Sequence, residues 1–360
     1  MGKMFLVAWL ILLVATCGGK GDDFVTPAGS MVQVKLTCEV DECDKVKADT
    51  LLAVQFLTNV ILFKEPIKLH IIYEPCQSLV CNNRALAYCL LNYTSPLTTD
   101  SGEEHMFPSA LAKQLGLNFT PPPFDATIVI NSNQYSLYPS NVMEWHSRHH
   151  ISFLLTFNHE VIHALGLSSA YKPRLSSLPC PELLPNPTRN ITLGKFYDYP
   201  FDHHVHISQH RTLAHFTRTL NDISSLTYSQ YTDTTALSHS PEYTQLQALN
   251  ALLTTSTPNM PIYFNASNKI IQLDTSLSPF KSGSSLVHLL NPPRRDALLT
   301  RSSRHSHFEV LLLNNPDWAQ SPYGPQTLAI LETLGYSINP NPNLTLSMTF
   351  FYKSHLRRPS

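Results

Sequence analysis

Apolar residues in DKVKADTLLAVQFLTNVILF (44–63) recur at helical spacing, which predicts an amphipathic helix that Pro66 ends. IKLHIIY (67–73) then alternates as a half-buried strand does, and Pro75 stops it. Residues 76–123 hold Cys76, Cys81 and Cys89, sequons at Asn92 and Asn118, and a run of prolines. They read as a disulfide-tied excursion with one short helix near Pro108–Leu115. DATIVIN (125–131) is β-branched and bounded by turn residues, so it predicts a second strand. Residues 151–166 are apolar almost all the way round, the mark of a buried helix. The pattern fades from 171 to about 280, a polar, Ser/Thr-rich stretch with scattered histidines. It returns at SGSSLVHLL (282–290), at 296–300, and at SPYGPQTLAILETLGYSIN (321–339), where Pro325 starts a helix and Gly335 ends it.

Composition narrows the class. A chain of 360 residues can bury a large core. A formal charge of −1 with 14% charged residues leaves no electrostatic footprint for nucleic acid or an anionic membrane. With 43% hydrophobic residues and 27 prolines the chain is globular and loop-rich. Residues 1–19 place Lys3 before an apolar run that ends in small residues, a signal-peptide pattern too short to span a bilayer comfortably. Beyond it remain Cys38, Cys43, Cys76, Cys81, Cys89 and Cys180, an even set that favours disulfides on the secretory route. Sequons at Asn92, Asn118, Asn190, Asn265 and Asn343 suit a secreted glycoprotein. The expectation is an extracellular protein with no membrane span after signal removal, attachment to the cell surface and oligomeric state being left open.

The chemistry concentrates in FNHEVIHALGLSSA (157–170). Residues four apart on a helix lie one above the other, so His159 and His163 can present two imidazoles to one metal ion. Zinc suits nitrogen ligands, and a catalytic site takes three protein ligands and leaves a fourth position to water. Glu160 is placed to accept a proton from that water and pass it to a leaving amine. Gly166 lets the chain leave the helix at positive φ and turn sharply. In short sites of this kind the turn delivers a third histidine three residues later. Ser169 stands there instead, so the third ligand must come from farther away.

Spacing leaves three candidates. Glu182 lies at a distance suited to a second ligand-bearing helix, but its context, PCPELLPNP, is a proline-broken loop. The histidines of FDHHVHISQHRTLAHF (His203, His204, His206, His210 and His215) have no settled ligand spacing and read as a polar loop or helix face. His288 follows a Gly-Ser turn and lies between apolar residues, ahead of the tight turn Ala297-Leu298-Leu299-Thr300.

The order of EPIKLHIIYEP, FPSALAKQL, DATIVINSN, the His-Glu-x-x-His-x-x-Gly helix, GSSLVHL (283–289), LLT (298–300) and GPQTLAILETLGY (324–336) resembles the leishmanolysin-like metzincin zinc proteases over roughly residues 44–340. The resemblance implies that a long insertion postpones the third histidine, making His159, His163 and His288 the zinc ligands and Glu160 the general base. It implies an α+β fold, a twisted mixed sheet with an active-site helix over a mostly irregular or helical C-terminal subdomain. Substrate would lie along an edge strand near Ala126–Asn131. The chain would then divide into a signal (1–19), an N-terminal catalytic subdomain (20–166), a C-terminal subdomain (167–340) and a tail (341–360).

Three features depart from the family. Leu299 stands where metzincins carry a methionine beneath the zinc, a swap that conserves volume. Leu289-Leu290-Asn291 follow His288 where an acidic residue is usual. Arg294, Arg295, Arg301 and Arg304 surround the turn. The functional expectation is a secreted zinc metalloendopeptidase (EC 3.4.24 class) acting on protein or peptide substrates with one catalytic zinc ion. The alternative is a secreted zinc-binding pseudo-protease that serves as a binding protein.

Overall fold

The computed structural model describes residues 23–38, 40–75, 86–99, 102–133, 137–138, 151–173, 183–185, 197–208, 211–215, 217–218, 221, 244, 262–267, 269–275, 286–290, 294–300 and 322–342. The signal segment, Glu182, His210, Arg301, Arg304, Cys76, Cys81 and Cys180 lie outside them.

The principal sheet grows from the N-terminal part. Strand β1 (Asp23–Phe24) pairs antiparallel with β2 (Val32–Cys38), and helix α1 (Cys43–Val60) follows across a turn closed by the Cys38–Cys43 disulfide. The apolar periodicity that runs on to residue 63 is cut at Val60. Ile61–Leu62 form β3, taken into a strand pair with the far end of the chain, so tertiary pairing overrides local helical preference. In β4 (Ile67–Glu74) the alternation is realised: Ile67, Leu69, Ile71 and Tyr73 are buried while Lys68, His70 and Ile72 are half-buried.

Strand β5 (Ala87–Leu91), the hairpin β6 (Leu97–Thr98) and β7 (Glu104–His105), helix α2 (Ser109–Gln114) and β8 (Ala126–Asn131) complete this part. The sheet order is β1-β2-β4-β8-β5, with β2, β4 and β8 parallel and β5 antiparallel on β8. Ala126–Asn131 is therefore an interior strand and the edge belongs to β5, which corrects the expected position of the edge.

The pair β9 (Leu137–Tyr138) and β10 (Ile151–Ser152) leads into helix α3 (Phe153–Ala164). Helices α1 and α3 share one apolar core with the sheet, in which Leu57, Leu69, Ile128, Phe153, Phe157 and Ile162 are fully buried. Beyond α3 come β11 (Tyr171–Pro173) paired with β12 (Leu183–Pro185), and the single-turn helix α4 (Pro200–His203). The faint middle of the sequence then builds a second sheet from β13 (Val205–Ser208), β14 (Arg211–Thr212), β15 (Tyr263–Ala266) and β16 (Lys269–Gln272), in the order β14-β13-β15-β16.

A 3₁₀ turn (Arg294–Leu299), helix α5 (Pro325–Leu334) and β17 (Ser337–Ile338) close the chain. Pro325 opens α5 and Gly335 ends it at φ 109, as the sequence predicts. β17 pairs antiparallel with β3, and Asn339 donates from its backbone to Val60 O and from its side chain to Asn59 O. The architecture is α+β.

Candidate metal centre

Helix α3 is buried at every residue except Leu155, His159 and His163, which are four apart and form one stripe. Its other faces lie in the core, and the stripe that carries both histidines is the one left partly open. At the C-terminus of α3, Gly166 takes φ 110, and a Cβ there would sit 3.3 Å from Leu111 Cδ2. The turn this permits brings the Leu167 carbonyl back to accept a hydrogen bond from His163 Nδ1 at 2.8 Å. His159 Nδ1 donates to Leu298 O, in the 3₁₀ turn, at 2.6 Å.

His288 arrives by a different route. Residues 286–290 run beside β16: Leu286 N donates to Asp274 O, Asp274 N to His288 O and Leu290 N to Gln272 O, with Leu273 bridged to Leu289. Leu286 holds φ 72, a left-handed conformation costly for a branched side chain and sustained by this framework. The Leu289 N–H also donates to Leu299 O, so the third histidine and the 3₁₀ turn are tied directly.

The three rings meet. His159 Nε2 lies 3.2 Å from His163 Nε2 and 3.1 Å from His288 Nε2, and one ligand atom from each ring lies within 4.8 Å of the others. Burial lowers the pKa of His159 and takes that of His163 down to about 3, helped by His159 beside it and opposed by the Leu167 carbonyl. Burial thus favours the neutral form of both rings. With Nδ1–H of each committed to a carbonyl, the facing Nε2 atoms of His159 and His163 carry lone pairs and cannot hydrogen-bond to each other. Lone pairs at this separation repel unless a cation lies between them. Ligand bonds of ~2.05 Å at the tetrahedral angle place ligand atoms about 3.3 Å apart. The donor set and its spacing fit a zinc ion, and the carbonyls fix the tautomers as metal-bound histidines require.

Glu160 sits beside the first histidine, 8% exposed, and burial alone pushes its carboxyl up to about 8. Leu299 is fully buried in the common core, at the methionine position of the resembling family. The turn bonds to the site through its backbone: Leu298 O accepts from His159 Nδ1, and Leu299 O accepts from Leu289 N, next to His288. Ser169, at the position of the ligand in short sites, has another task. Its hydroxyl donates to Asp202 Oδ1 at 2.6 Å and accepts from Tyr171 N at 3.1 Å.

The remaining candidates separate. His204 packs tilted against Phe264 and His206 stacks on Tyr263, in and beside the second sheet, while His215 is exposed. His203 turns to Asp198 and His105. Glu182 and His210 fall outside the described residues. Three supporting residues have no marker in the sequence. Asn158 donates to Leu154 O and accepts from the Tyr323 hydroxyl, which links α3 to the approach of α5. Asp296 caps α5, accepting from Gln326 N at 2.9 Å and Thr327 N at 3.0 Å. An acidic residue far upstream of a helix gives no local capping signal, which is why it escapes a sequence reading.

These features define an α+β protein with a buried tri-histidine centre. The chain belongs to the SPBPB7E8-like family, whose model matches residues 21–355. It is similar to the uncharacterized protein PB7E8.01 of Schizosaccharomyces pombe (strain 972), with 26% identity over 308 residues, covering 74% of this chain and 52% of that protein. The chain thus spans about half the length of that relative. No solved structure matches it.

Proposed function

We propose that this chain is a secreted zinc metalloendopeptidase of the metzincin type, with His159, His163 and His288 as ligands and Glu160 as general base. The observation that carries the reading is the meeting of three Nε2 atoms at 3.1 and 3.2 Å while His159 and His163 are each tied by Nδ1 to a carbonyl. When bound, zinc supplies Lewis-acid polarisation of a carbonyl and lowers the pKa of a coordinated water toward ~7. Glu160, buried beside His159, is the group placed to take a proton from the attacking water and return it to the leaving amine. Strand β5, at the edge of the principal sheet, offers an extended peptide a backbone partner beside α3. That mode gives affinity without strong sequence preference. The Cys38–Cys43 disulfide and exposed sequon asparagines at 92, 118 and 265 support passage through an oxidising compartment. Among the described residues no helix is long and apolar enough to cross a membrane.

Purified protein is incubated with casein and a peptide library, alone, with a chelator and as Glu160→Ala. The expected result is cleavage by the wild type, loss on chelation, and a fall of about 10²–10⁴-fold in Glu160→Ala at unchanged zinc content. Activity that survives both changes overturns the mechanism. Zinc bound by His159, His163 and His288 without turnover of any peptide assigns the chain to the binding-protein alternative.

A further inference from the structure

A second group of ligand-type side chains shares no residue with the first. The β6–β7 hairpin turns tightly, with Gly102 N bonded to Thr99 O and both Thr99 N and its hydroxyl bonded to Glu103 O, and this sets Glu103 and His105 on its returning side. Met106 N donates to Asp198 O, which docks the hairpin against the segment leading into α4. Helix α4 is a single turn begun by Pro200 and held by Asp202, whose Oδ2 accepts from Tyr199 N. Asp198 precedes that turn and His203 ends it, so both face the hairpin.

The atoms converge closely. His105 Nδ1 is 2.5 Å from Asp198 Oδ1 and 3.1 Å from His203 Nε2, and His203 Nε2 is 3.3 Å from Asp198 Oδ2. Glu103 Oε2 reaches to 3.6 Å from His105 Nε2, and ligand atoms of Glu103, His105 and His203 lie within 4.8 Å of one another. His105 is 7% exposed and Asp198 4%, while Glu103 and His203 form an open rim.

We propose that His105 through Nδ1, Asp198 and His203 form a second divalent-cation site, of the zinc class, with Glu103 at its rim facing His105 Nε2. Two imidazoles with carboxylate oxygens suit zinc and its transition-metal neighbours, whereas calcium and magnesium take oxygen ligands throughout. The 3.1 and 3.3 Å edges match the ~3.3 Å spacing of a four-coordinate zinc polyhedron. The short His105–Asp198 contact is the one edge that must open to admit the ion; His105 then ligates through Nδ1 and carries its proton on Nε2, on the side of Glu103. The site joins a hairpin before α2 to the turn carrying Asp202, and Asp202 holds Ser169 and Ala170 just past α3. Its role is a clamp on the chain leaving the tri-histidine helix, and it stands whether or not the chain is a peptidase.

The test is metal counting on the purified full chain equilibrated with zinc alone, for wild type, His203→Ala, Asp198→Asn, His288→Ala and the His203→Ala/His288→Ala double variant. The expected result is two zinc ions per wild-type chain, one in each single variant and none in the double. A wild type with one zinc, lost in His288→Ala and retained in His203→Ala and Asp198→Asn, overturns the second site and leaves the first. One zinc lost in His203→Ala but kept in His288→Ala does the reverse, and no zinc overturns both. Thermal unfolding guards against a folding artefact. Chelation lowers the midpoint of His288→Ala, which retains this site alone, and leaves the double variant unchanged. A chelation shift of equal size in the double variant overturns the clamp.

Discussion

The three histidines of the candidate centre reach it in two ways. His159 and His163 stand on one stripe of one helix, so their spacing is set by helical geometry and survives any change elsewhere that leaves α3 intact. His288 is held by a run alongside β16, in a sheet assembled from strands spread over residues 205–272. The first pair is local and cheap to specify. The third depends on long-range strand pairing, on a left-handed Leu286 and on the 3₁₀ turn that also serves His159. A site of this kind has a rigid half and a conditional half, and perturbations on the two sides should be felt differently.

The largest expected effect comes from deleting one member of each half. In a His203→Ala background, which removes the second cluster from the count, His163→Ala and His288→Ala each lose at least about 100-fold in zinc affinity, measured by competition with a chromogenic chelator, because losing a ligand exceeds losing a second-shell partner. Full affinity in His288→Ala breaks the division into halves. The pH dependence of Asp202 is next. Burial raises its carboxyl from 3.8 to about 7 against the bonds from Ser169 and Ala170. A raised folded-state value means stability present below the unfolded value and lost as pH rises through the folded one. The advantage of wild type over Asp202→Asn should therefore shrink from about pH 4 to about pH 7 in urea titrations. A gap independent of pH removes Asp202 from this role.

Gly166→Ala places a Cβ at φ 110 and close to Leu111, and should cost about 1–2 kcal/mol in denaturant midpoints. It should also weaken zinc binding, since Leu167 O then shifts from His163. Asp296→Ala removes the cap of α5 and should cost about 1–2 kcal/mol, with weaker zinc binding through the turn that holds His159. A stability loss with no change in zinc affinity would show that the conditional half is less coupled than its hydrogen bonds imply. Smallest of all, Leu299→Met should change stability by less than about 1.5 kcal/mol and leave zinc affinity alone, because the turn acts through its carbonyls.

The same division explains what could be read from the chain. Helices α1, α2, α3 and α5 and strands β4 and β8 carry their own periodicity or end signals, and each lies within a few residues of its expected place. His159, Glu160 and His163 follow from helical spacing alone. Resemblance, not pattern, singled out His288, because β13–β16 are short strands whose stability comes from pairing with one another. β5 is hidden for the same reason, inside a cysteine-bearing excursion, and the edge that the resemblance implies at β8 belongs to it. His203 lies in a stretch whose local pattern is that of a polar loop or helix face. Its neighbours His105 and Asp198 are distant in sequence, and no local pattern could have joined them.

The strand pair β3–β17 and the Asn339 clasp onto residues 59 and 60 bear on the order of events during synthesis. The ribosome releases α1 long before the segment that fastens to its end, and between the two emerge α3, the insertion and His288. A partly made chain can thus fold its principal sheet while the tri-histidine centre is still in pieces. Only the last stretch, after α5, draws the carboxyl-terminal part onto the helix laid down first. Such long-range closure is slow, and the strand that makes it leaves the ribosome after every residue of the tri-histidine centre.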